Sequence, residues 1–119
     1  MSADPIERVR GGATGRSSAS AWRDLVYAVA TAPGATVAEQ TRNVLATIEK
    51  NLEQLGSGRT RLISATVYLS DLAGTKTEMD RVWDEWIGSD PAHWPQRACV
   101  QTGLAADNRV EIVVIAARD

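Results

Sequence analysis

Arg97 and Glu111 are the two side chains of this chain with most to offer a reaction, and each stands near the start of a strand-like run, 97–102 and 110–116. A guanidinium at a strand end presents a planar fork that can grip a carboxylate at two points. Taken alone, such an arginine is more often a partner in a surface ion pair. Glu111 shares a period-two face with Val113 and Ile115, while Val110, Ile112 and Val114 form the other, so both faces read as buried. A carboxylate there needs hydrogen bonds or a cation, and desolvation would raise its pKa toward a value useful for proton transfer. On spacing alone a structural ion pair explains Glu111 equally well.

The remaining reactive types are weaker. Cys99 alternates with Arg97 on one strand face, but nothing around it spells a Cys-His-Asn arrangement, and a small buried hydrophobe is the better account. His93 falls in the Pro-bracketed connector Asp90-Pro91-Ala92-His93-Trp94-Pro95, with no carboxylate partner legible as ordered beside it. The stretch Gly11-Gly12-Ala13-Thr14-Gly15-Arg16-Ser17-Ser18 reads as a surface loop, with a ligand-approaching loop as the alternative. No phosphate-cradling loop, dinucleotide fingerprint, zinc-protease motif or nucleophile elbow is present.

The elements that must hold these residues follow from the length and the pattern. A chain of 119 residues, 44% hydrophobic and 24% charged, is expected to form a single domain over residues 1–119 around one core. Its formal charge of -2 gives no field that favours nucleic acid or an anionic membrane. One Cys excludes an internal disulfide, and one Cys with one His cannot build a usual structural zinc site, so no metal is expected. No apolar run reaches membrane-spanning length, and the polar start at residues 1–5 lacks the regions of a signal peptide, so a cytoplasmic location is expected.

Leu25 to Val29 is apolar on both parities and predicts a buried strand. From Thr36 the box Thr-Val-Ala-Glu opens a helix whose stripe is Val37, Thr41, Val44, Leu45, Ile48, Leu52 and Leu55, with Gly56 as its stop. Ile63, Ala65, Val67 and Leu69 then predict a strand with one apolar face, followed by a turn at Asp71. A second box, Thr75 to Glu78, predicts a helix with Met79, Val82, Trp83, Trp86 and Ile87 inward and Gly88 at its end. Its tryptophans read as core rather than as a base-stacking platform, because no basic residues interleave with them. An N-terminal strand region followed by strand, helix, strand, helix, strand, strand describes an α+β two-layer sandwich, a mixed sheet with two helices on one face.

The segment Pro95-Gln96-Arg97-Ala98-Cys99-Val100, followed by Val110-Glu111-Ile112-Val113-Val114-Ile115-Ala116, resembles the C-terminal signature of the Rid (reactive intermediate deaminase, YjgF-like) family. The similarity continues through Leu25-Val26-Tyr27, Ala38-Glu39-Gln40-Thr41-Arg42 and Ala65-Thr66-Val67-Tyr68-Leu69-Ser70-Asp71-Leu72. The resemblance implies a chorismate-mutase-like protomer in a homotrimer, with ligand clefts between subunits. It also implies hydrolysis of reactive enamines and imines, such as 2-imino acids, to 2-oxo acids and ammonia, with no cofactor. By the same resemblance Arg97 would clamp the substrate carboxylate, Glu111 would position or activate water, and the Cys99 backbone carbonyl would hold the imine nitrogen. The family's usual Gly-Pro-Tyr-Ser-Gln-Ala stretch reads Thr14-Gly15-Arg16-Ser17-Ser18-Ala19 here, so that by the resemblance Arg16 and Ser17 would contact the substrate, and Ala30 stands where the family has glycine.

The resulting expectation is an imine or enamine deaminase, with a non-catalytic trimer that binds small carboxylates as the alternative class. The partners implied are a carboxylate-bearing imine or 2-oxo acid and two further copies of the chain. A ribonuclease reading is weakened by the acidic balance and by the lack of a basic aromatic stripe.

Overall fold

A computed structural model describes residues 5–119. The expectation about the polar start therefore lies, for residues 1–4, outside the described residues. Six strands form one sheet in the order β1-β2-β3-β6-β4-β5: β1 Glu7–Arg10, β2 Ser17–Trp22, β3 Leu25–Ala30, β4 Leu62–Leu69, β5 Gln96–Gln101 and β6 Val110–Ala117. Helix α1 (Val37–Gln54) links β3 to β4, and α2 (Leu72–Ile87) links β4 to β5. β3 and β4 both run antiparallel to the β6 strand between them, and β4 pairs parallel with β5. Both helices are thus crossovers between parallel strands, and crossovers of one hand place them on the same side of the sheet. The expected α+β architecture, a mixed sheet with two helices on one face, is what the chain adopts.

The core fills the space between. Val26, Ala28, Ala65, Val67, Leu69, Ile112 and Val114 from the sheet meet Val44, Leu45, Ile48 and Leu52 of α1 and Met79, Val82 and Trp83 of α2, all buried. Every residue of the expected α1 stripe is buried, and Thr36 caps the helix by accepting the Glu39 N–H at 3.1 Å. Trp83 and Trp86 lie with ring centroids 5.5 Å apart, and Trp86 donates to Glu49, so these rings are packing elements rather than a stacking platform.

Four expectations need correction. The α2 helix starts at Leu72 rather than at Thr75, because Asp71 is its cap and accepts the Gly74 N–H. Released from a local box, Glu78 instead accepts the Ala38 N–H at 2.8 Å and caps the neighbouring helix. Ile63 is exposed, since a register irregularity between Leu62 and Ser64 hands its inward place to Leu62. Ser17 and Ser18 belong to a strand, within an N-terminal hairpin that polar sequence disguised. Finally, β6 is not buried on both faces of the protomer: Val113 and Tyr27 are among the exposed apolar residues of the face away from the helices.

The loop after β5 is fastened from below by one buried amide. Gln40 donates to the carbonyls of Gly34 and Asp107 at 3.2 and 3.0 Å and accepts the Arg109 N–H at 2.8 Å. A Gln40→Leu substitution would leave those backbone groups unpaired, at about 1 to 3 kcal/mol for each group that water cannot reach. The expected result is a clear drop in melting temperature, read by circular dichroism, with helix content unchanged below the transition.

Two half-sites on opposite faces of the sheet

Arg97 and Cys99 lie two residues apart on β5, in register with Ala65 and Val67 on the buried face of β4. Their side chains therefore stand on the helix side of the sheet, against α2. There the Arg97 guanidinium donates to Asp80 at 2.5 Å and to the Met79 sulfur at 3.9 Å, and lies 5.2 Å from the Trp83 ring centroid. Lys76 binds the other oxygen of Asp80 at 2.6 Å. Two cations, Arg97 and Lys76, share the one Asp80 carboxylate. Arg97 keeps 19% of its side chain exposed and Asp80 28%.

Burial alone would raise the Asp80 carboxyl, but hydrogen bonds and charge from Lys76 and Arg97 outweigh it and hold the pKa below its ordinary 3.8. Burial likewise pushes the Cys99 thiol up, only partly opposed by Arg97 and Lys76. A thiol raised above its ordinary value is a poor nucleophile at neutral pH. β5 is an edge strand, and among the described residues no strand pairs with its outward backbone groups.

A depressed carboxyl stabilises the fold above its unfolded pKa, and that contribution disappears as pH falls through its folded value. Asp80→Asn should therefore cost about 1 kcal/mol at pH 7, a modest amount because the pair is partly open to solvent. Melting curves of parent and variant should converge as pH drops below 3.8.

Glu111 occupies the other face. It pairs with Tyr68 of β4, which pairs with Val100 of β5, and all three are outside the core. Where β3 ends and β6 begins, Glu111, Arg16, Ser17 and Ala30 line one cavity of about 420 Å³, with Gly11, Gly12 and Asn108. A Cβ at Gly11 would meet the Ser18 hydroxyl at 2.5 Å, so a larger residue there would force that hydroxyl to turn away. Arg16 is exposed, its contact among the described residues a long hydrogen bond to the Thr14 carbonyl. A wider depression of about 620 Å³ adjoins this cavity and adds Arg8, Arg10, Ser20 and Tyr27.

The structure thus brings Glu111, Arg16, Ser17 and Ala30 to one cavity at the strand ends and Arg97 and Cys99 to one face of β5; Glu111 stands on the opposite sheet face from Arg97, whereas Ala30 pairs with Ile112 and belongs to the helix-side face. Asp80 and Lys76 were absent from the expected site. Their signal was the i,i+4 spacing on a helix and the position of Asp80 at the border of the Met79 and Trp83 stripe. His93 lies in a short turn, with its Nε2 atom 3.8 Å from Asp90 and apart from both half-sites.

A sheet with two helices on one face, with an arginine and a glutamate presented from opposite faces, describes a small α+β protein with two separate polar regions. The family model described as Endoribonuclease L-PSP matches residues 27–118. A RutC family protein of Haemophilus ducreyi is 44% identical over 80 residues, covering 66% of each chain, so the match spans about two thirds of that relative's length. A RutC family protein of Haemophilus influenzae is 34% identical over 105 residues, 84% of this chain and 88% of that one. Among solved structures, a member of the YjgF protein family from Neisseria meningitidis superposes with a TM-score of 0.87 at 35% identity, covering 97% of this chain and 96% of its own. A Mycobacterium tuberculosis member of the YjgF/YER057c/UK114 family gives 0.86 at 26% identity, covering 95% and 99%. The chain belongs to the endoribonuclease L-PSP family, that of the YjgF and RutC proteins, and is Rid-like.

Proposed function

We propose that the protein hydrolyses 2-imino acids and related enamines to 2-oxo acids and ammonia, at sites completed between copies of the chain in a homotrimer. The observation that carries this reading is the split itself. Arg97 and Glu111 suit the two ends of one small acid, yet within a chain the sheet separates them. A neighbouring copy that lays its Glu111 cavity against the β5 edge would unite them. Exposed Tyr27, Val100 and Val113 on the uncovered face, together with the unpaired β5 edge, supply apolar area and backbone groups for such an assembly.

In this reading Arg97 takes the substrate carboxylate, and Asp80, itself bound by Lys76, holds its guanidinium in place. The Cys99 carbonyl accepts from the imine N–H. Glu111 orients a water and receives its proton as oxygen bonds to the imine carbon. Glu111 passes that proton to nitrogen, giving the carbinolamine; it then takes the proton of the new hydroxyl and delivers it to nitrogen as the C–N bond breaks, so that ammonia leaves and the carbonyl of the 2-oxo acid forms. Imines already accept water, so positioning and modest base help suffice. Arg16 and Ser17 line the Glu111 cavity and would contact the substrate from the neighbouring copy. The family's name invokes ribonuclease chemistry, but a formal charge of -2 favours a small acid over a polyanion.

The test is to generate imino acids in situ with an amino-acid oxidase and follow their decay. Accelerated loss of the imine with matching release of 2-oxo acid and ammonia is expected. Binding of 2-oxo acids without any acceleration would favour the non-catalytic trimer.

A further inference from the structure

Beyond Arg97, a groove of about 600 Å³ runs along the last turns of α2, lined by Trp83, Asp84, Ile87, Trp94 and Pro95. It opens at Arg97 and Asp80 and ends at Gly88. Trp94 is 54% exposed, yet its indole N–H is spent on the Gly88 carbonyl at 2.9 Å, so the ring is tethered at the rim of the groove. Gly88 itself sits at φ 82, a conformation that favours glycine and sets the turn carrying that carbonyl.

Asp84 lies one turn beyond Asp80, about 6 Å along the helix. Asp80 is committed to Arg97 and Lys76, whereas the Asp84 carboxylate has no hydrogen-bond or ion-pair partner among the described residues. The last turn of α2 also carries no basic residue, although a helix C-terminus favours cations and disfavours the acids that stand there, Asp84 and Glu85. Indole faces, an uncommitted carboxylate and the negative end of a helix all attract a cation.

We propose that this groove is the side-chain subsite of the imino acid gripped by Arg97, and that it takes an aliphatic stem ending in a guanidinium or ammonium group. The inference rests on the carboxylate-binding role of Arg97 proposed above. With the carboxylate at Arg97, a stem of three or four carbons lies along Trp83 and Ile87 and brings its cation to Asp84 beside Trp94. Neutral aliphatic imino acids would fill the floor of the groove but leave Asp84 unanswered.

Calorimetric titration of the full chain with 5-guanidino-2-oxopentanoate and 4-methyl-2-oxopentanoate tests this, using the parent, Asp84→Asn, Trp94→Ala and Arg97→Ala. The parent should bind the guanidino acid about tenfold more tightly, and Asp84→Asn should bring the two affinities to within about threefold. Trp94→Ala should weaken the guanidino acid more than the branched one. Equal affinities in the parent, or a preference that survives Asp84→Asn, would overturn the subsite while leaving the Arg97 reading intact. If neither acid binds, or Arg97→Ala binds both as the parent does, the carboxylate grip has failed and the subsite falls with it. If neither acid binds and Trp94→Ala lowers the assembly state in sedimentation, the groove holds a second copy of the chain, which also overturns the proposal. A guanidino preference without imine turnover would retain the subsite and refute the deaminase.

Discussion

Arg97→Ala should bind 2-oxo acids at least about 30-fold more weakly than the parent, because truncating one partner of a charge-assisted pair costs about 2 to 5 kcal/mol. The fold should survive, since Arg97 lies at the border of the core and its removal leaves Asp80 still paired to Lys76 at 2.6 Å. The melting temperature is therefore the necessary companion reading. Near-parental melting with collapsed affinity assigns Arg97 to the ligand. Unchanged affinity would reduce it to a structural partner of Asp80 and Trp83.

Glu111→Gln separates turnover from binding. The amide keeps the size and much of the hydrogen bonding of the acid but removes the base, so imino-acid turnover should fall by about 100-fold or more. Affinity for a 2-oxo acid should change little. A loss of stability or of assembly in step with activity would mark Glu111 as structural, and normal turnover in a folded variant would remove it from the mechanism. Glu111 is half-buried on an otherwise apolar face of β6, so the assembly state should be read on the same preparation.

The amino-acid pattern carried the helices well and the site only in part. Thr36 and the seven-residue stripe of α1 specify their helix locally, as a cap and a period, and both survive in the structure. The start of α2 did not, because Asp71 competes with Thr75 for the capping role and wins through the Gly74 N–H. Glu78 then serves a helix 40 residues away, a contact that no window of sequence contains. Ile63 fits the period of β4 but loses its place to Leu62 at an irregularity of pairing, which depends on β6.

The same limit governs the site. Period two correctly put Arg97 and Cys99 on one face of β5 and Glu111 with Val113 and Ile115 on one face of β6. Which of those faces the helices cover is decided by the handedness of two crossovers, and only that knowledge separates Arg97 from Glu111. Asp80, the closest charged partner of Arg97, is brought there by the packing of α2 on β5.

That separation makes the account testable by complementation. Arg97→Ala and Glu111→Gln chains, each inactive alone, should be mixed in equal amounts, unfolded, refolded together and assayed for imino-acid hydrolysis. If every site takes Arg97 from one copy and Glu111 from its neighbour, random assembly leaves about a quarter of the sites with both groups intact, and activity should return to about that fraction of the parent. No recovery in mixtures whose subunits have exchanged, as native mass spectrometry would show, would contradict a site shared between copies.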